Sequence, residues 1–133
     1  VSGSFVKIEH VAIACRDTRA LAQWYCRHLG MSILADDGKQ PPALIVGYGS
    51  IQDPSAIEMM PARDPGPDPA TQPRFMPGVR HLALTVTDFD AAYRDLKAAG
   101  VTFLFEPVAA LGGGRVVSFR DPEGNELQIV RRS

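Results

Sequence analysis

Ile8-Glu9-His10-Val11-Ala12-Ile13-Ala14 returns later in the chain as Val79-Arg80-His81-Leu82-Ala83-Leu84-Thr85. Each copy is an apolar residue, a polar residue and a histidine, followed by a stretch that suits a β-strand. Each reaches an aspartate seven residues after its histidine, Asp17 and Asp88, and then a helix-like segment closed by glycine, Gly30 and Gly100. Aspartate suits a helix N-cap because its short carboxylate can accept from unpaired first-turn N–H groups. Glycine suits the residue after a helix, where positive φ carries no Cβ penalty.

Working outward from the repeat, Leu21, Trp24, Tyr25 and Leu29 recur at three- and four-residue steps, as do Phe89, Ala92, Tyr93 and Leu96. That spacing describes amphipathic helices laid on a sheet. Strand signals follow at Met31 to Ala35, Ala43 to Tyr48 and Ala56 to Met60, and again at Val101 to Phe105, Arg115 to Phe119 and Glu126 to Val130. Turn-rich pieces such as Asp36-Asp37-Gly38, Gly112-Gly113-Gly114 and Asp121-Pro122-Glu123-Gly124-Asn125 separate them. The predicted organisation is α+β: a βαβββ module over residues 5–61, a proline-rich linker over 62–78, and a second βαβββ module over 79–131. A four-stranded sheet with one helix is a thin unit, so the two modules are expected to form one curved, mixed sheet of about eight strands, its convex side covered by helices.

Strand alternation then singles out four side chains. On the first strand His10, Ala12 and Ala14 share a face opposite Val11, Ile13 and Cys15; in the counterpart His81, Ala83 and Thr85 oppose Leu82, Leu84 and Val86. Small residues beside each imidazole leave open volume. On the last strand of each half, Glu58 and Met60 oppose Ile57 and Met59, while Glu126, Gln128 and Val130 oppose Leu127 and Ile129. A carboxylate on so apolar a strand needs a partner when buried. Taken singly, a strand histidine is ordinarily a hydrogen-bonded core or edge residue, and a glutamate near a strand end is ordinarily solvated. Matching placement in both halves points instead to a shared divalent cation held by His10, Glu58, His81 and Glu126. Imidazole and carboxylate ligands suit Ni, Zn, Co, Fe or Mn better than Ca.

The totals exclude other classes. Of 133 residues, 45% are hydrophobic, too many for a disordered chain, and 14 basic against 15 acidic residues leave no basic footprint for nucleic acid. No apolar run approaches the roughly 20 residues of a membrane helix. Val1-Ser2-Gly3-Ser4 lacks the features of a signal peptide, and the two cysteines, Cys15 and Cys26, read as free thiols of a cytoplasmic protein. His28, near the end of the first helix, reads as structural there.

These residues resemble the vicinal oxygen chelate superfamily, which includes glyoxalase I, methylmalonyl-CoA epimerase, extradiol dioxygenases and bleomycin- or fosfomycin-resistance proteins. The resemblance runs from about Val6 to Val130. It is carried by Ile8 to Ile13, Trp24-Tyr25 with Leu29-Gly30-Met31, Ala56 to Met59, His81 to Val86, and Phe119 to Leu127. The quartet is most similar to that of glyoxalase I. This implies a metal with open positions and a glutamate, Glu126 or Glu58, that moves a proton next to a carbonyl of a small-molecule substrate. It also implies a homodimer, because glyoxalase-like relatives build each site from two chains. Where the bacterial type has an arginine four residues after its first histidine, which grips glutathione, this chain has Ala14; Arg16, Arg74, Arg80 and Arg115 read as solvated surface residues. An extradiol dioxygenase would use His10, His81 and Glu126 and leave the position of Glu58 free. A drug-binding resistance protein would tend to lack the ligands altogether.

Overall fold

The computed structural model describes residues 3–133. Two compact units divide between Pro65 and Gly66, and each repeats one plan. In the first, β1 (His10–Cys15) leads into α1 (Thr18–Leu29), then β2 (Ser32–Asp36), β3 (Leu44–Ser50) and β4 (Asp53–Pro61). In the second, β5 (Leu82–Thr85) leads into α2 (Phe89–Ala98), then β6 (Val108–Ala109), β7 (Arg115–Arg120) and β8 (Glu126–Arg131). The strands form two mixed four-stranded sheets, ordered β1-β4-β3-β2 and β5-β8-β7-β6. In both, the first strand runs parallel to the last and the remaining pairs are antiparallel.

The helix boundaries follow from the capping chemistry. Asp17 Oδ1 accepts from the Ala20 N–H and Asp88 Oδ1 from the Ala91 N–H, each at 3.0 Å. Gly30 and Gly100 adopt φ of 70° and 82° just past the two helices. The α1 stripe of Leu21, Ala22 and Tyr25 is buried with Leu44, Val46, Ile57 and Met59 of β3 and β4. The leucine, valine, isoleucine and methionine side chains among them stabilise by about 1.5–3 kcal/mol each when fully buried. In the second unit Phe89 and Leu96 of α2 are buried, as are Val117, Phe119, Leu127 and Ile129. The opposite faces stay open: His10, Ala12 and Ala14 on β1, and Ala83 and Thr85 on β5 with His81 just ahead of it, are all exposed.

Two details differ from the sequence reading. The second strand of the second unit is Val108–Ala109, not Val101 to Phe105. The predicted segment still runs beside β7, through Arg120 N–H to Thr102 O at 3.2 Å, Leu104 N–H to Ser118 O at 3.0 Å and a bridge between Phe103 and Phe119. A bend at Leu104–Phe105 and then Pro107, which has no N–H to give, interrupt the ladder. The proline-rich stretch also has structure of its own. Pro69–Thr71 form a short 3-10 turn capped by Asp68, whose Oδ1 accepts from the Ala70 N–H at 2.8 Å. No helix among the described residues is long and apolar enough to cross a membrane.

Candidate functional site

The parallel pairing of first and last strands places a histidine beside a glutamate in each unit. In the first, Ala12 is level with Glu58 and His10 with Ala56, so the His10 ring, at the start of β1, lies diagonally across from the Glu58 carboxylate. His10 Nε2 is 3.3 Å from Glu58 Oε1. The other ring nitrogen, Nδ1, is 2.9 Å from Glu9 Oε1. The side chains of His10 and Glu58 are each about one-third exposed.

In the second unit His81 Nδ1 is 3.9 Å from Glu126 Oε2. The glutamate differs from its counterpart, with its side chain only 3% exposed. It accepts from Arg74 Nε through Oε1 and from Arg74 Nη2 through Oε2, each at 2.9 Å, and from Ser118 Oγ through Oε2 at 2.8 Å. Gln128 Nε2 in turn donates to Ser118 Oγ at 3.0 Å. Burial pushes the Glu126 carboxyl up, but the hydrogen bonds from Arg74 and Ser118, with the charges of Arg74 and His81, outweigh it and hold it below the ordinary carboxylate range. Arg74 is therefore no solvated surface arginine. Its guanidinium forks onto a buried carboxylate and lies 4.9 Å from the Phe75 ring centroid and 5.2 Å from that of Phe105.

Whether the donors suit a cation can be judged from their spacing. Imidazole nitrogen and carboxylate oxygen each sit about 2.0–2.2 Å from a bound transition metal, so two of them at the tetrahedral angle stand about 3.3 Å apart. The His10–Glu58 pair has that spacing, and Glu9 on the far nitrogen is the kind of partner that fixes a ligand ring. The His81–Glu126 pair is wider, and its carboxylate is already engaged. Within either unit, no group of three or more His, Cys, Asp or Glu side chains gathers as a cation site among the described residues. Each unit thus offers two donors.

Sequence reasoning missed Glu9, Arg74, Ser118 and Gln128. Ser118 and Gln128 were within reach, since the β7–β8 hairpin about Asp121–Asn125 pairs them directly and period two puts both on the Glu126 face. Arg74 lies in a stretch without periodicity and carries no such signal. Elsewhere on the first unit, Ala35, Ala43, Ile45 and Glu58 help line an open, largely apolar hollow. The His28 ring lies tilted against Trp24, 5.2 Å between ring centroids.

The family model described as Glyoxalase/Bleomycin resistance protein/Dioxygenase superfamily matches residues 7–129. YwkD of Bacillus subtilis strain 168, known only as an uncharacterized protein, is 30% identical over 127 residues, 94% of this chain and 96% of YwkD. A glyoxalase/dioxygenase from Nostoc punctiforme superposes with a TM-score of 0.78 at 22% identity, over 100% of this chain and 95% of that one. The Leishmania major glyoxalase I gives 0.72 at 18% identity, over 96% and 88%. At those identities the likeness to the two solved structures is one of fold.

Proposed function

This chain belongs to the glyoxalase/bleomycin resistance protein/dioxygenase superfamily, and from that premise we propose that it is a metal-dependent lyase or isomerase of the glyoxalase type. It moves a proton next to a carbonyl group of a small substrate. The observation that carries this reading is the histidine–glutamate pair built once in each unit, His10 with Glu58 at 3.3 Å and His81 with Glu126 at 3.9 Å. We propose the four as ligands of one divalent cation, Ni, Zn, Co, Fe or Mn by donor type.

A bound cation supplies Lewis-acid stabilisation of charge developing on a carbonyl oxygen. The chain's own groups supply the rest. Glu58, partly exposed at the edge of the apolar hollow, can take a proton from a substrate carbon and return it to the neighbouring one. Glu126 can do the same only when Arg74 gives way, because both of its oxygens are occupied. Exposed Ala12, Ala14 and Ala83 leave room for substrate beside the imidazoles. We also propose a homodimer working in a reducing cytoplasm, in keeping with Cys15 and Cys26 as free thiols.

The test is proton exchange in D2O, followed by proton NMR with metal-replete protein. The panel is 2-oxoaldehyde hemithioacetals, α-hydroxy ketones and acyl thioesters. Loss of the α-proton signal, abolished in Glu58→Gln or Glu126→Gln, is expected. No exchange with any of the panel overturns the proposal. The Arg74–Glu126 pair favours a second reading, a metal-free small-molecule binding protein, because it already neutralises the buried carboxylate. Metal analysis of untagged protein separates the two: a protein that stays metal-free after growth and purification with added Ni, Zn and Mn supports the second.

A further inference from the structure

Glu58 and Glu126 occupy equivalent places in the two units, yet their surroundings differ. Among the described residues no arginine bonds Glu58, which faces His10 Nε2 and is about one-third exposed. Glu126 is buried, and the planar fork of Arg74 spans its two oxygens. A bidentate guanidinium on a carboxylate takes the positions that a metal ion would need. We propose that Arg74 is an internal counter-ion that a cation must displace from Glu126, so that this residue sets the metal affinity of the His81–Glu126 pair. The inference rests on the metal-dependent reading above.

Three features support an exchange over a fixed structural pair. The charge balance is kept, because a cation arriving as the guanidinium leaves does not strand a buried carboxylate. Arg74 is itself about one-third exposed, so its head can swing into water without dragging a core element. Its attachment beyond Glu126 is soft, since the Phe75 and Phe105 rings hold it by face contacts and Phe75 is largely exposed. Ser118 stays on Oε2 throughout, keeping the carboxylate aimed while its partner changes.

The experiment uses the full chain stripped of metal. Zn2+ is titrated into wild type, Arg74→Ala and Arg74→Gln by calorimetry, and the Arg74 Nε–H resonance of wild type is followed by 15N NMR. Zn2+ is expected to move that resonance from a carboxylate-bound to a solvent-like position. Arg74→Ala is expected to bind Zn2+ about tenfold tighter than wild type, as removal of a charge-assisted bidentate competitor implies. Arg74→Gln, which keeps neutral donors and serves if the alanine variant does not fold, should bind tighter than wild type by less. The gain should vanish in a Glu126→Ala background. Zn2+ binding to wild type with an unmoved Arg74 resonance, or equal or weaker binding by both Arg74 variants, overturns this inference and leaves the metal-dependent reading standing. Failure of every form to bind Zn2+ overturns both.

Discussion

Ser118 is fully buried, and its hydroxyl links Gln128 to Glu126. Replacing it with alanine removes one donor from a buried carboxylate and the acceptor of a part-buried amide. Unmade hydrogen bonds of this kind cost about 1–3 kcal/mol each. Ser118→Ala should therefore lower stability by about 2 kcal/mol, seen as an earlier urea midpoint with an unchanged slope; an unshifted midpoint would show that water replaces the hydroxyl. A surface carboxylate makes the pH-dependent contrast. The backbone N–H of Gly38, then the Arg19 side chain and its charge, hold the Asp36 carboxyl below its ordinary value of 3.8 against a small opposing effect of burial. A lowered folded value means the unfolded chain takes up the proton first. The Asp36 contribution is thus complete above about pH 5 and is lost as pH falls through the lowered value. The stability difference between wild type and Asp36→Asn should be small but constant from pH 6 to 8 and shrink below pH 4; a difference that grows on acidification contradicts the sign. At this scale the repeat singled out His10, Glu58, His81 and Glu126 as a set, and in each unit one histidine stands near one glutamate. Arg74 was not, because its reach to Glu126 spans 52 residues and depends on a fold that periodicity does not encode.

Helix ends were readable because capping is local chemistry: Asp17 and Asp88 serve the first turns that their spacing implied. Asp17→Ala and Asp88→Ala should each lower stability by about 1 kcal/mol, measurable as additive shifts in the thermal midpoint since the two helices belong to separate units. The short β6 was not readable, because Val101 to Phe105 has a strand-like composition while the bend and Pro107 decide where pairing resumes. Strand spacing has its own sharp requirement at Gly47. A Cβ there would meet the Ser55 carbonyl oxygen and lie 2.6 Å from Ala56 Cα, both backbone atoms that cannot turn aside. Gly47→Ala must therefore push β3 off β4, with a loss on the order of 3 kcal/mol or more. Amide exchange across Leu44–Gly49 should speed up sharply in that variant and stay slow in Ser118→Ala.

At the scale of the whole molecule, the duplicated βαβββ plan was legible from two histidines and two helix signals, whereas the division of eight strands into two four-stranded sheets depends on hydrogen bonding. The expected homodimer belongs here too. Among the described residues β1 is an edge strand of its four-stranded sheet, paired with β4. Just ahead of it, Phe5 is 92%, Val6 87% and Ile8 80% exposed. Scattered apolar residues on a surface need no explanation, but three so close together just ahead of an edge strand do. An exposed edge presents unpaired N–H and C=O groups, and large apolar side chains next to it add the burial that holds a second chain there. Covering them with a second copy removes this surface from water, whereas a monomer leaves it as an aggregation risk. Light scattering on the eluting peak at micromolar concentration should therefore give twice the 14.4 kDa chain mass. Phe5→Asp combined with Ile8→Asp should return it to the single-chain value without loss of the helical circular-dichroism signal, because neither residue contributes to the core of its unit. A wild-type peak at 14.4 kDa would mean that these side chains stay in water and that the homodimer expectation fails.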